Sequence, residues 1–383
     1  MILALVARNS WRHKLRSGLT ILGMVVAILA FGLLQTVVSA WYAGADAASD
    51  TRLITRNAIS LVFPMPISYE QKIRGIEGVR QVAVANWFGA IYKEPKNFFP
   101  QFAMSENYLD LYPEFLIDEA GRDAFKHDRK GCIIGRKLAN QYGFNIGDTI
   151  TLKGTIFPGE WNFNVAAIYE GKKKNTDTSQ FFFHWSYLNE TVKVRYPRRA
   201  DQVGVFVAET VDADRMASIA LAIDNQFKNS AAETLSETEK AFQLGFVSMT
   251  GTIVVAIKLV SYVVIFIIMA VMANTMAMTA RERTAEYATL KALGFSPIFV
   301  SALIFGESLM LALFGGVLGI AGSFPVAAAF GRKMGTMFPV FNISAETVTL
   351  QILCALTVGV LAAIVPARRA ATVRIVEGLR AVA

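Results

Sequence analysis

Four apolar stretches, at residues 19–41, 251–278, 298–329 and 348–365, decide what this chain of 383 residues can fold into. Each approaches or exceeds the roughly 18 to 20 residues that carry an α-helix across a bilayer. Lipid offers backbone N–H and C=O groups no partner, so a spanning segment must satisfy them internally, and a helix does so. The first stretch outruns the ~7 to 15-residue apolar core of a cleaved signal peptide and is read as a retained anchor. Hydrophobic residues make up 54% of the chain, more than an ordinary soluble enzyme carries.

A formal net charge of +8 raises the possibility of nucleic-acid binding, and the placement of the charge argues against it. Residues 42–250 hold 24 Lys and Arg against 25 Asp and Glu, leaving 14 against 5 elsewhere. The excess sits beside the apolar stretches. Arg8, Arg12, Lys14 and Arg16 precede the first; Arg281, Arg283 and Lys291 follow the second; Arg368, Arg369, Arg374 and Arg380 follow the last. Short cytoplasmic flanks carry such an excess, so both termini and the 279–297 loop are expected inside. The 326–347 connection, with only Arg332 and Lys333, and the large 42–250 region are expected outside.

The expected plan is a cytoplasmic amphipathic helix over 1–18, with Trp11 and Leu15 on one side and Arg8, Arg12 and Arg16 on another. Spans follow at 19–41, 251–278, 298–325 and 348–366, with a cytoplasmic tail at 367–383. Inside 42–250 the pattern is α+β. A helix ending near Gly75 or Gly78 leads into alternating residues around Val82, Val84 and Ala85, and "GCIIGRKLANQYGFNIGDTITLKG" reads as strand, helix to Gly143, turn at Gly147-Asp148 and strand. "WNFNVAAIYEG" is a further strand. The fold class is therefore a four-helix membrane region plus a large α+β domain of two lobes inserted between helices one and two. From Glu233 no proline interrupts the run, and a helical stem at 233–250 is expected to continue into the second span. The lysines at 172–174 read as a solvated loop, and Phe181 to Phe183 with Trp185 as a strand.

Catalytic signatures do not compete. The sequence has no G-x-x-x-x-G-K-[ST] loop, no H-E-x-x-H and no G-x-S-x-G. His13, His127 and His184 are scattered, which gives no metal site, and Cys132 and Cys354 form no disulfide framework. Within the spans, Lys258 lies near an outer end where its stem can snorkel, and Glu307 sits deeper and must face protein. Helix packing is the favoured role for Glu307, ahead of proton relay. Gly315 and Gly319 form a small-x-x-x-small pair that allows close helix approach.

The stretch "TARERTAEYATLKALGFSP" (279–297) is a short charged helix between two spans, with Tyr287, Leu290 and Leu293 on its apolar side. Gly294 suits the left-handed position after a helix, Phe295 can pack back on Leu290, and Pro297 blocks continuation. Such a helix can seat in a partner's groove.

Here a resemblance becomes specific. "ANTMAMTARERTAEYATLKALGFSP", "FGESLMLALFGGVLGIAGS" and "IVPARRAATVRIVEGLR" resemble, in order and spacing, the second span and loop, third span and closing segment of MacB/FtsX-type ABC-transporter permeases. "IIGRKLANQYGFNIGDTITL" is similar to a segment of their periplasmic core domain. Tyr287 departs from the family's small aliphatic residue, and "VRIV" from its aspartate-proline pair. The resemblance implies a non-catalytic permease of a bacterial inner membrane that couples ATP hydrolysis by a separate cytoplasmic ATPase to change outside, exporting or extracting a substrate. It implies that Arg283, Glu286, Lys291, Leu293 and Gly294 serve ATPase docking. ATP and Mg would bind the partner, with no cofactor on this chain. Further expected partners are a second copy of the permease, a periplasmic adaptor or substrate-delivery protein, and membrane lipids; nucleic acid is not one. A non-transporting transducer that activates a periplasmic enzyme is the alternative function, and a sensor without an ATPase is a third.

Overall fold

A computed structural model describes residues 12–173, 175–333, 338 and 340–375. Arg8, Trp11, Lys174, Arg380 and the tail beyond 375 lie outside the described residues. Along the chain come α1 (Lys14–Ala47), β1 (Arg52–Asn57), β2 (Met65–Pro66), α2 (Tyr69–Arg74), β3 (Val79–Trp87), β4 (Ala90–Ile91), β5 (Gln101–Met104), α3 (Tyr108–Leu111), β6 (Phe115–Leu116) and α4 (Glu119–His127). Next are β7 (Gly131–Gly135), α5 (Arg136–Tyr142), β8 (Thr149–Gly154), β9 (Gly159–Gly171), β10 (Phe181–His184), α6 (Trp185–Arg195), β11 (Gln202–Val203), β12 (Val205–Thr210) and α7 (Met216–Gln226). The chain closes with β13 (Thr234–Thr238), α8 (Glu239–Met249), α9 (Gly251–Glu282), α10 (Thr284–Ala292), α11 (Pro297–Lys333) and α12 (Ala345–Thr372).

Two compact units result, one helical and one built on a sheet. In the helical unit α1, α9, α11 and α12 are each long and apolar enough to cross a membrane. Their shared core includes Met24, Ile28, Met272, Val300, Ala312 and Val358. Small residues set how closely these helices approach. A Cβ on Gly315 would lie 2.5 Å from the Met24 Cβ, and one on Gly319 would lie 2.9 Å from the Ile28 Cβ. The G-x-x-x-G pair therefore packs α11 against α1 of the same chain. Gln351 donates to the Ile28 carbonyl and to Ser323 Oγ, both at 2.9 Å, and joins three helices by one side chain.

Helix ends outrun the apolar stretches because intrahelical hydrogen bonding does not stop where hydrocarbon does. Thus α1 reaches Ala47, and α11 and α12 continue through Pro325 and Pro366. Packing outweighs the single N–H that each proline forfeits.

The second unit is organised by a mixed sheet in the order β13-β1-β12-β3-β5-β10-β7-β9-β8-β4, with β6 paired to β9. Among the described residues, only β5 with β10 and β7 with β9 run parallel. One sheet thus runs through this unit, while separate apolar clusters form along it. Phe88, Trp161, Phe163 and Phe183 fill one of these, and Val84, Phe206, Ile219 and Phe227 another. Long β9 alternates buried and exposed residues, as a strand with one covered face should. Gly143, at φ +73°, ends α5 as its sequence requires.

Two expectations need correction. The 233–250 stem is not one helix. Thr234–Thr238 is a strand paired with β1, and Thr238 then caps α8 by accepting from the Ala241 N–H at 3.1 Å. Thr234 and Ser236 alternate inward, so a β-branched, polar run gains more from an open sheet edge than from a helix. Thr250 then interrupts the helical path before Gly251. The second correction concerns Trp185, which opens α6 and does not extend β10.

Candidate functional site

The charged stretch after α9 folds as α10, nine residues long. Glu286 in its first turn and Lys291 in its last match the helix dipole. Its end is a Schellman motif. Gly294 at φ +90° lets its own N–H donate to the Lys291 carbonyl at 3.0 Å and the Phe295 N–H to the Leu290 carbonyl at 3.1 Å. Nothing lies within 4 Å of where a Gly294 Cβ would stand, so backbone conformation alone demands glycine there.

The expected apolar side of this helix divides. Tyr287 and Ala288 are buried, and Leu290 packs on the core of the helical unit. Burial pushes the Tyr287 hydroxyl up to about 12. Leu293 is 72% exposed, and with Phe295 and Ile298 (79% exposed) it forms an apolar surface around the glycine turn. The outward-facing part of this site is thus the turn, because the helix face itself is already covered.

Charges at the other end converge from four segments. Buried Arg283 pairs through Nη1 with Glu307 Oε2 at 3.1 Å and through Nε with Glu286 Oε2 at 3.0 Å. Glu307 is buried too, so each charge depends on the other. Glu286 remains 42% exposed and also takes Arg12. Burial alone would raise its carboxyl; hydrogen bonds from Arg283 and then Arg12 overrule that and hold it below the ordinary range. One turn back, Arg16 grips Glu282 with two bonds, at 2.6 and 2.8 Å. A crevice between these groups is lined by His13, Ser17 and Thr279 as well.

Lys291 reaches the end of α12, donating to the Ala371 carbonyl and, at 2.9 Å, to the Val373 carbonyl. It therefore secures the start of the tail. Of the residues read from sequence, Arg283, Glu286, Tyr287, Leu290, Lys291, Leu293, Gly294 and Glu307 come together. Lys258 sits apart, exposed on α9, and Gly315 and Gly319 face α1. Sequence reasoning missed Arg12, Arg16 and Glu282 as site members. Their alternating signs were visible, but pairs 266 or more residues apart leave no periodic trace.

A second charged centre lies in the sheet unit, where the chain enters and leaves it. Arg52 on β1 binds Glu239 Oε2 at 2.8 Å, Glu114 Oε1 at 2.6 Å and the Leu111 carbonyl at 2.8 Å, with its guanidinium 4.0 Å from the Tyr112 ring centre. Glu239 also accepts from the Ser49 N–H at 2.8 Å, and Trp41 donates to Thr250 Oγ1 at 2.7 Å. The two segments that bound the domain are thereby tied to each other. Burial drives the neighbouring Tyr108 and Tyr112 hydroxyls well above their usual range, so both stay neutral.

The family profile described as MacB-like periplasmic core domain matches residues 17–225, and that described as FtsX-like permease C-terminal matches residues 258–375. The chain is 24% identical to an uncharacterized ABC transporter permease of Methanocaldococcus jannaschii, over 99% of this chain and 97% of that protein. It is 24% identical to the uncharacterized ABC transporter permease YknZ of Bacillus subtilis, over 96% of each. With the macrolide export ATP-binding/permease protein MacB of Rhodopseudomonas palustris it shares 23% identity over 94% of this chain and 57% of that protein. Among solved structures, the periplasmic region of MacB from Actinobacillus actinomycetemcomitans matches at a TM-score of 0.38 and 8% identity, covering 52% of this chain and 94% of that one.

Proposed function

Because the chain belongs to the family of FtsX-like ABC transporter permeases that carry a MacB-like periplasmic core domain, we propose that it is the membrane subunit through which a separate cytoplasmic ATPase moves the domain outside. Both termini and the α10 turn then face the cytoplasm of an inner membrane, as the placement of Lys and Arg favours. Two copies would work with two ATPase subunits. The substrate is one already outside or in the outer leaflet, handed over by an adaptor or drawn from lipid.

One observation carries this reading: an exposed apolar turn of Leu293, Phe295 and Ile298 is fixed by Gly294 and backed by the buried Arg283–Glu307 pair. Ile298 opens the third span and can meet lipid, but a soluble loop has no use for Leu293 and Phe295 in water, whereas a partner's groove does. Force applied at the turn reaches α11 through Glu307 and α12 through Lys291. ATP and Mg belong to the partner, since this sequence offers no phosphate-cradling loop.

The test is co-purification with the ATPase together with stimulation of its turnover. Leu293→Asp should insert normally, because the position lies outside the spans, and should lose the ATPase; Thr289→Ser should behave as wild type. Normal retention and turnover with Leu293→Asp would remove the turn from coupling.

A further inference from the structure

Residues 42–250 are nearly neutral as a whole, with 24 Lys and Arg against 25 Asp and Glu, so a local excess of one sign stands out. One lies where α6 ends. Arg195, Arg198 and Arg199 are all exposed, and among the described residues none of them has an ion-pair partner. The carboxylates nearest in sequence are already taken, since Glu190 and Asp201 both pair with Lys193 at 3.2 Å. Glu160 alternates with buried Trp161 along β9 and so lies on the strand's other face.

Two of these arginines are held in place. The Arg195 guanidinium carbon lies 5.4 Å from the Trp161 ring centre, and that of Arg199 lies 5.0 Å from the Phe157 ring centre. Arg199 Nη1 also donates to the Ile156 carbonyl at 3.0 Å. The turn between β8 and β9 leaves room for this, because a Cβ on Gly159, at φ +126°, would stand 2.5 Å from Arg195 Nη1. A guanidinium stacked on an aromatic face is already ordered and keeps N–H donors at its edge, so little further entropy is lost when a carboxylate arrives. Apolar side chains stand in water around them: Val194 is 83% exposed, Ile156 39% and Tyr196 37%. Arginine and tyrosine are among the residues most enriched where proteins meet.

We infer that this patch is a docking surface for an acidic segment of another protein, whose carboxylates meet Arg195, Arg198 and Arg199 and whose apolar residues cover Val194, Ile156 and Tyr196. Charge complementarity selects the acid. The apolar side chains select a protein segment over an inorganic polyanion or a lipid headgroup, either of which would leave them in water. The inference rests on the reading above only in that the sheet unit lies outside the cytoplasm, where proteins other than the ATPase can reach it.

The experiment places the full chain in nanodiscs of zwitterionic lipid, with no ATPase present, and follows the fluorescence anisotropy of a short labelled peptide of glutamate, leucine and serine. This peptide should bind about tenfold more tightly than its counterpart with glutamine for glutamate, and more weakly as salt rises. Arg198 makes no hydrogen bond among the described residues, so Arg198→Gln leaves the fold alone and should weaken binding about three- to tenfold, with Arg198→Lys restoring part of it. Val194→Ser should weaken it about threefold. Arg129→Gln with Lys130→Gln removes two exposed charges elsewhere in the unit and should change nothing. Equal affinity for the two peptides, an equal loss in that control, or no effect of Arg198→Gln would overturn the inference. So would polyphosphate binding as tightly as the peptide and without dependence on Val194, or capture of phosphatidylglycerol vesicles but not of the peptide. These last outcomes would make the patch a general anion site or a membrane contact. Because no ATPase enters the assay, failure here leaves the proposed coupling standing, and failure of the coupling test leaves this inference standing.

Discussion

Arg52 in the sheet unit and Arg283 in the helical unit each hold two carboxylates, yet only one of them is closed. Around Arg52 every direction is filled by Glu239, Glu114, the Leu111 carbonyl and the Tyr112 ring. Around Arg283 one carboxylate, Glu307, is buried, and the other, Glu286, is shared with an exposed Arg12 at the surface. A closed node can only hold its surroundings together. A half-open one can exchange a surface partner without losing its buried pair, which is what the proposed docking of an ATPase would require.

The comparison breaks first at Arg52. Arg52→Ala leaves Glu239 buried without its cation and should cost about 3 to 5 kcal/mol of domain stability. Hydrogen exchange in the full chain should show faster exchange across β1 and β13; unchanged protection would mean the node is not what ties the two segments. Glu307→Ala should have a similar but more local effect, lowering the melting temperature of the detergent-solubilised chain. The double variant Arg283→Leu with Glu307→Leu should recover most of that loss, since a buried pair replaced by apolar groups is often near neutral. Failure of the double variant to recover would show that Arg283 acts through Glu286 and not through Glu307.

Smaller effects sharpen the open side. Gly294→Val forces a β-branched residue to φ +90° and should cost about 1 to 2 kcal/mol locally, while coupling to the ATPase falls much further because the turn is misdirected. Comparable losses in both readouts would mean that the turn only connects α10 to α11. The smallest effect is one of pH. Glu286 has its carboxyl depressed in the folded chain, so its contribution is complete above the ordinary carboxylate range and is lost as pH falls through the lower folded value. Its exposure further reduces that contribution. Distances between spin labels at Leu15 and Thr289 should therefore stay constant through the neutral range and spread only once the pH falls below the ordinary carboxylate range. Spreading near neutrality would point to a different titrating group.

Much of this architecture is written locally. Apolar runs of spanning length forced four helices, and the Gly294-Phe295-x-Pro297 sequence forced a left-handed stop, because both depend on backbone hydrogen bonds made within a few residues. The strand, helix, turn and strand around Gly143 and Gly147 were legible for the same reason. Where local preference was weak, tertiary context decided. The run from Thr234 to Thr238 carried no proline and read as helix, and pairing with β1 made it a strand.

Side-chain partnership was the least legible layer. Sequence identified Glu307 as a residue that must face protein, but Arg283 as its partner emerged only when α10 folded back on α11. Tyr287 and Leu290 belonged on an apolar side, and only packing showed that this side is spent on the chain's own core, leaving Leu293 outside. The physical reason is range. Hydrophobic length, helix caps and turns are fixed by neighbours a few residues away, and the sequence states them outright. The pairing of Arg12 with Glu286 across 274 residues, or of Gln351 with the Ile28 carbonyl across 323, exists only once helices are packed, because no local energy term depends on it.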